Sequence, residues 1–114
     1  MQDCIFCKIV KGEVPCDKVH EDEDILVFRD INPQAPVHLL IIPKKHYNSI
    51  VDMTETDAAL AGHMVNTAAR LAVASGVAGK GFRLVTNSGS EGGQTVPHMH
   101  FHVLGGRQLS GELG

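Results

Sequence analysis

Residues 98–104 read His98-Met99-His100-Phe101-His102-Val103-Leu104. Side chains of an extended chain alternate between faces with period two, so a strand projects all three imidazoles from one side. Met99, Phe101 and Val103 then project from the other side, an apolar set suited to a core or a covering helix. On a helix, offsets of two and four would scatter the rings. The stretch therefore reads as a strand that Gly105-Gly106 ends. Three neighbouring imidazoles cost free energy unless they are used, because like charges repel and buried ring nitrogens need partners.

Upstream lies Asn87–Thr95 (NSGSEGGQT), a loop by its glycine and serine content. Glycines let the main chain approach an anion, and successive N–H groups form a nest. Asn87, Ser88, Gly89, Gly92, Gly93, Gln94 and Thr95 offer backbone N–H groups, an amide and hydroxyls, which beside the histidines make the loop a candidate phosphate cradle. The loop lacks the G-x-x-x-x-G-K-[ST] phosphate motif and the G-x-G-x-x-G dinucleotide fingerprint. Residues 82–87 alternate as a strand. The run 37–43 (VHLLIIP), with His38 near its start, suits a central strand buried on both faces. Residues 17–30 read as two strand pieces around a solvated acidic turn, Glu21–Asp24. Asn32-Pro33-Gln34-Ala35-Pro36 is a loop, since proline has no N–H for a ladder. Residues 4–10 form a short helix or turn.

The helical signal runs from Asp52 to Gly76. Asp52-x-x-Glu55 has the form of a capping box. Leu60, Ala61, Met64, Val65, Ala68, Leu71 and Ala72 recur on one face. His63, Asn66, Thr67 and Arg70 fall on the other, where His63 is expected to be exposed and idle. Several strands, one long helix and short connections predict an α+β domain with a mainly antiparallel sheet.

The 114 residues fit a single domain spanning 1–114, with a core at about 4–108 and a tail at 109–114. A net charge of −3 argues against sequence-independent nucleic-acid binding. No apolar run approaches the ~20 residues that cross a bilayer. The start Met1-Gln2-Asp3-Cys4 does not read as a secretory signal, which makes the cytoplasm the expected location. Three cysteines exclude a full disulfide framework. Cys4 and Cys7 form a CxxC pair, a candidate metal half-site. Cys16 is expected to be inert and His20 to be exposed.

The histidine array admits three uses. One is a three-histidine zinc site, although rings two residues apart on a strand are spaced by roughly 7 Å. Another is a nucleophile flanked by orienting rings, since a neutral imidazole attacks phosphorus at neutral pH. The third is structural, each ring bonded to a backbone carbonyl.

The H-φ-H-φ-H-φ-φ form of residues 98–104 resembles the histidine triad (HIT) superfamily. Asp30-Ile31-Asn32-Pro33-Gln34-Ala35-Pro36, His38, Ile42-Pro43-Lys44-Lys45-His46, Gly92-Gly93-Gln94-Thr95 and Leu104-Gly105-Gly106-Arg107-Gln108 are similar to its Hint branch. The resemblance runs collinearly from about Cys4 to Gln108. It implies a five-stranded antiparallel sheet with one long and one short helix, in a homodimer whose sheets join. It implies a hydrolase of purine nucleoside 5′-phosphoramidates that releases an amine and a nucleoside monophosphate such as AMP. His100 would be the nucleophile that forms a nucleotidyl-histidine intermediate, with His98 and His102 beside it. His38 matches a further active-site histidine. Asp30 matches the ribose-binding carboxylate, Asn87 and Thr95 the polar groups near phosphate and leaving amine. Phe6, Ile9, Phe28, Ile31 and Leu40 match the walls around the base.

Such chemistry requires no cofactor, and the sequence lacks the carboxylate cluster of a magnesium cage. Some bacterial relatives bind a structural zinc, which by position would take Cys4, Cys7, His46 and His98. The chain departs from the family pattern at Thr95, where Ser is common, and at Arg29, where His is common. Its tail, Leu109–Gly114, also lacks the usual Trp. Two other readings stand beside the phosphoramidase. One is a non-catalytic purine-nucleotide sensor or protein-interaction module; the other is a dinucleoside polyphosphate hydrolase.

Overall fold

The computed structural model describes residues 4–113; Met1–Asp3 and Gly114, which the single-domain reading includes, lie outside the described residues. A short helix α1 (Ile5–Val10) leads into strands β1 (Lys18–Glu21), β2 (Ile25–Arg29) and β3 (Val37–Pro43). Two single 3-10 turns, Ile50–Asp52 and Glu55–Asp57, precede helix α2 (Ala58–Ala74). Strands β4 (Phe82–Thr86) and β5 (Phe101–Gly105) complete one five-stranded sheet, ordered β1-β2-β3-β5-β4 and antiparallel at every pairing. Among the described residues no helix is long and apolar enough to cross a membrane.

The unbroken apolar runs of β2 and β3 reflect a sheet covered on both faces. Ile25, Val27, Leu39 and Ile41 point to the α2 side, where they pack with Met64, Ala68, Met99, Phe101 and Val103. Leu26, Phe28, Leu40 and Ile42 point to the other side and pack with Cys4 and Phe6 at α1. Two-sided burial selects branched and aromatic residues at every position and removes the usual polar alternation. Gly105, at the end of β5, is required by packing: a Cβ there would stand 2.8 Å from Val77 Cβ.

Three local expectations are corrected. The ladder of β5 begins at Phe101, not His98. Ahead of it, Met99 N donates to Tyr47 O at 2.7 Å and Thr86 Oγ1 donates to His100 O at 2.8 Å, so residues 98–100 hang from loop and side-chain partners. The Asp52-x-x-Glu55 box does not form. Thr54 N donates instead to Asp57 Oδ2 at 2.8 Å, while Asp52 Oδ2 accepts from Asn48 N at 2.9 Å. On α2, Val65 is exposed and Thr67 is buried, which rotates the packed face toward Met64, Thr67, Ala68 and Ala72. Gly76 does follow the helix with φ +78°, the left-handed conformation that ends many helices.

His63 and His20 are half-buried, not idle. Their Nε2 atoms lie 2.8 and 3.2 Å from Asp22 Oδ2, in the turn between β1 and β2. Partial burial alone would raise the Asp22 pKa. Bonds from the Asp24 and Ile25 amides and from both imidazoles outweigh it and hold the carboxyl far below its usual range. The turn is thereby clipped to α2.

The Thr67 hydroxyl is buried and, among the described residues, has no hydrogen-bond partner. Valine keeps its shape and nearly its helix propensity while deleting the unpaired group. Thr67→Val is expected to raise the free energy of urea unfolding by about 1 kcal/mol. An unchanged or lower midpoint would mean that the hydroxyl is satisfied in solution.

Candidate active site

Above the α1 face of the sheet lies a cavity of about 580 Å³. Its apolar part is made by Ile5, Phe6 and Ile9 of α1, by Val14, Pro15 and Cys16 of the following turn, and by Phe28 and Leu40 of the sheet. Its polar end holds Asp30, Asn32, Gln34, His38, Thr95, His100 and His102. Phe6 joins the two regions. Its ring meets Phe28 edge-on at 5.6 Å and His100 edge-on at 5.1 Å. Aromatic rings favour this edge-to-face packing.

The register of β3 on β5 places the polar end. Leu40 lies opposite His102 and His38 opposite Leu104, so His38 and His102 are diagonal neighbours on one face. Their rings are 5.1 Å apart, and His38 Nε2 is 2.9 Å from His102 Nδ1. The Gln34 amide donates to His38 Nδ1 at 3.0 Å. That nitrogen must therefore carry a lone pair, and a neutral His38 carries its proton on Nε2. His102 Nδ1 must then accept it, which leaves the His102 proton on its own Nε2. Burial, against the pull of Asp30, lowers the His38 pKa. Burial, aided by charge on His100 and His38, pushes His102 down to about 4. Both rings are thus neutral near pH 7.

His100 has the opposite tautomer. Its Nδ1 sits 2.7 Å from the carbonyl of His98, which can only accept. The proton is on Nδ1 and the lone pair on Nε2, the nitrogen away from the main chain. A nucleophilic nitrogen and an N–H donor therefore stand on adjacent rings, whose centroids are 4.9 Å apart.

His98 is held elsewhere. It is fully buried, its Nε2 donates to Pro43 O at 2.9 Å, and its Nδ1 faces the CxxC pair. Cys4 Sγ and Cys7 Sγ are 3.2 and 3.6 Å from that nitrogen. His46 Nδ1 is 3.1 Å from it and 3.3 Å from Cys7 Sγ. Four ligands around a tetrahedral zinc would be separated by roughly 3.4 Å (N to N) and 3.6 Å (S to N), given Zn–N near 2.05 Å and Zn–S near 2.3 Å. The observed spacings follow that figure. Each Nε2 is also occupied, that of His98 by Pro43 O and that of His46 by Asn48 Oδ1 at 2.9 Å. Such outer bonds fix the tautomer that offers Nδ1 to a metal. Burial pushes His98 down to about 4, which keeps the ring neutral as a ligand must be.

A family model for the HIT domain matches residues 11–109. The chain belongs to the HIT domain family. It is 47% identical over 109 residues to an uncharacterised HIT-like protein of Synechococcus elongatus, covering 96% of this chain and 95% of that one. A second uncharacterised HIT-like protein, from Synechocystis, is 50% identical with the same coverage. The fold is similar to a crystal structure of a HIT family hydrolase from Legionella pneumophila, with a TM-score of 0.96, 52% identity, and 98% and 100% of the two chains covered. A histidine triad protein from Clostridium difficile superposes with a TM-score of 0.94 at 43% identity, covering 99% of this chain and 98% of that one.

In this HIT domain the residues read from the sequence separate into two groups. Phe6, Ile9, Phe28, Asp30, Ile31, His38, Leu40, Thr95, His100 and His102 line the cavity. Cys4, Cys7, His46 and His98 form the second cluster. His98 therefore leaves the cavity set, because both of its ring nitrogens are engaged below it. Asn87 and Gly93 do not line the cavity either. Asn87 Nδ2 donates to Gly92 O and Gly93 N to Ser90 O, so the glycine loop spends these donors closing on itself. Sequence reading missed Gln34, whose contribution is a main-chain N–H, and Cys16, whose place on the wall depends on the turn after α1. Burial raises the Cys16 pKa, which keeps it a thiol.

The lowered His102 pKa ties stability to pH. The unfolded ring takes a proton near pH 6.5, the folded ring only near 4, so stability falls as pH drops through that window. The slope for one such group is at most about 1.4 kcal/mol per pH unit. Urea midpoints of His102→Asn should fall less steeply than wild type between pH 6.5 and 4. Parallel curves would mean that His102 does not titrate in this way.

Proposed function

We propose that the chain is a nucleotide-binding hydrolase that cleaves purine nucleoside 5′-phosphoramidates to nucleoside monophosphate and amine. The observation that carries this is the His100 Nδ1 bond to the His98 carbonyl, which presents the Nε2 lone pair next to a His102 N–H donor. The apolar wall of Phe6, Ile9, Phe28, Ile31 and Leu40 suits a base, and the Asp30 carboxylate suits ribose hydroxyls.

In the first step His100 Nε2 bonds to the α-phosphorus while the P–N bond breaks. The nitrogen leaves with its electron pair, takes up a proton from solvent and departs as the amine. His102 Nε2–H donates to a phosphoryl oxygen as charge builds there. The Thr95 hydroxyl, which lines the cavity, would contact the phosphate or the departing nitrogen. In the second step water attacks phosphorus and gives up a proton to solvent, the P–Nε2 bond breaks with its electron pair returning to the His100 ring, and the monophosphate departs. Replacing His100 with Ala should lower kcat on an adenosine phosphoramidate by at least ~10³-fold while AMP still binds. Wild-type turnover by the variant would refute the nucleophile. Faster cleavage of a dinucleoside polyphosphate than of the phosphoramidate would shift the substrate class. Tight AMP binding without turnover of either would favour a sensor.

Cys4, Cys7, His46 and His98 are the residues that would hold a structural zinc, in a closed site with no open position for substrate. Bound there, the metal would tie the start of α1 to the segment before β5, and no chemical step passes through it. Elemental analysis should give about one zinc per chain, and Cys7→Ser should lose it together with thermal stability. Retention of stoichiometric zinc by Cys7→Ser would exclude this set. The proposed assembly is a cytoplasmic homodimer joined along the β4 edge, where Phe82 and Leu84 stand exposed.

A further inference from the structure

The His38–His102 pair has two arrangements of its shared proton. In one, His38 Nε2–H donates to His102 Nδ1, and His102 presents Nε2–H to the cavity. In the other, His38 carries its proton on Nδ1, His102 Nδ1–H donates back to His38 Nε2, and His102 presents a lone pair. A lone pair facing a phosphoryl oxygen repels it, so only the first arrangement can stabilise developing negative charge. Both keep the 2.9 Å contact between the rings. Two groups separate them: the Asp30 carboxylate, whose Oδ2 lies 3.4 Å from His38 Nε2 and favours a proton there, and the Gln34 amide, which donates to His38 Nδ1 at 3.0 Å and excludes a proton from it.

Gln34 belongs to a loop held mostly by its own bonds. Asp30 N donates to His38 O, Asn32 N to Asp30 Oδ1, and Gln34 Nε2 to Asn32 O. Among the described residues, a single hydrogen bond ties residues 31–36 to a segment outside 30–38. It runs from Arg107 Nε to Gln34 O, at 3.0 Å. Arg107 is itself steadied, since its guanidinium also donates to Gln108 O at 3.0 Å. It follows Gly106, whose φ of +93° bends the chain after β5 so closely onto the loop that a Cβ would stand 3.0 Å from Pro36 Cβ. The strand that carries His102 thus returns, five residues later, to grip the loop that sets the His102 tautomer.

We propose that Arg107 is a positioning residue: by holding the Gln34 carbonyl it keeps the Gln34 N–H on His38 Nδ1, and so keeps the His102 Nε2–H aimed into the cavity. The kinetic part of this inference rests on the proposed phosphoramidase reading; the tautomer part does not. Arg107 is exposed and its aliphatic stem is matched by methionine, so Arg107→Met removes the donor with little disturbance of packing.

The test uses the full chain as purified. Long-range proton–nitrogen correlation of 15N-histidine protein reports which ring nitrogen is protonated. Wild type should show His38 and His102 each as a single Nε2–H tautomer. Arg107→Met should show a mixture on both rings, with kcat lowered about tenfold and KM within twofold. Arg107→Lys, which restores a donor on a similar stem, should recover most of both signals. A single unchanged tautomer on both rings in Arg107→Met would overturn the proposal, as would a mixture accompanied by wild-type kcat. If the wild type cleaves no phosphoramidate, the enzymatic reading fails, and the tautomer spectra still decide whether Arg107 sets the pair.

Discussion

Leu40 lies opposite His102 and His38 opposite Leu104 because β3 runs antiparallel to β5 in one particular register. Buried apolar residues enforce that register. Leu39 and Ile41 face α2 together with Phe101 and Val103, and a slip of one residue would turn both sets over to the wrong face. The imidazoles occupy the positions left on the other face, so the packing on the α2 side specifies the geometry on the cavity side. The contact between His38 and His102 depends on this pairing.

The same chain segment then divides its work. His102 sits inside the ladder and belongs to the cavity. His98 sits ahead of it, and its side chain is committed to the cysteine pair while its carbonyl orients His100. One residue thereby links the two centres, through different groups. Phe6 spans them as well, edge-on to His98 at 5.8 Å and to His100 at 5.1 Å. The short helix α1 is in this sense a wall of the cavity and a support for the cluster at once.

Much of this was legible from residue patterns. The central strand 37–43, the paired strands around the acidic turn, the strand after Gly81 and the long helix all carry local signals that act over a few residues. The opposite facing of the histidines and of Met99, Phe101 and Val103 also followed from period two. The division between His98 and the other two rings did not, because it depends on Met99 bonding to Tyr47, a residue 52 positions away in sequence. The inward turn of Asn87 and Gly93 has a similar origin. The Asn87 side-chain amide and the Gly93 N–H are spent on carbonyls within the loop, and composition does not show which bonds close first.

What the sequence determined by itself was the inventory and its periodicity. Apolar runs, turn residues and alternating histidines specify an α+β sheet with imidazoles on one face, since side-chain direction follows from backbone conformation alone. Only the tertiary structure decided the protonation pattern of those imidazoles. A tautomer is set by whichever donor or acceptor lies within about 3 Å of each ring nitrogen. For His38, His98 and His100 those partners are the Gln34 amide, the Pro43 carbonyl and the His98 carbonyl. They are main-chain groups, which all residue types carry alike apart from the missing N–H of proline. Their placement is therefore invisible in side-chain identity and appears only when the chain is folded.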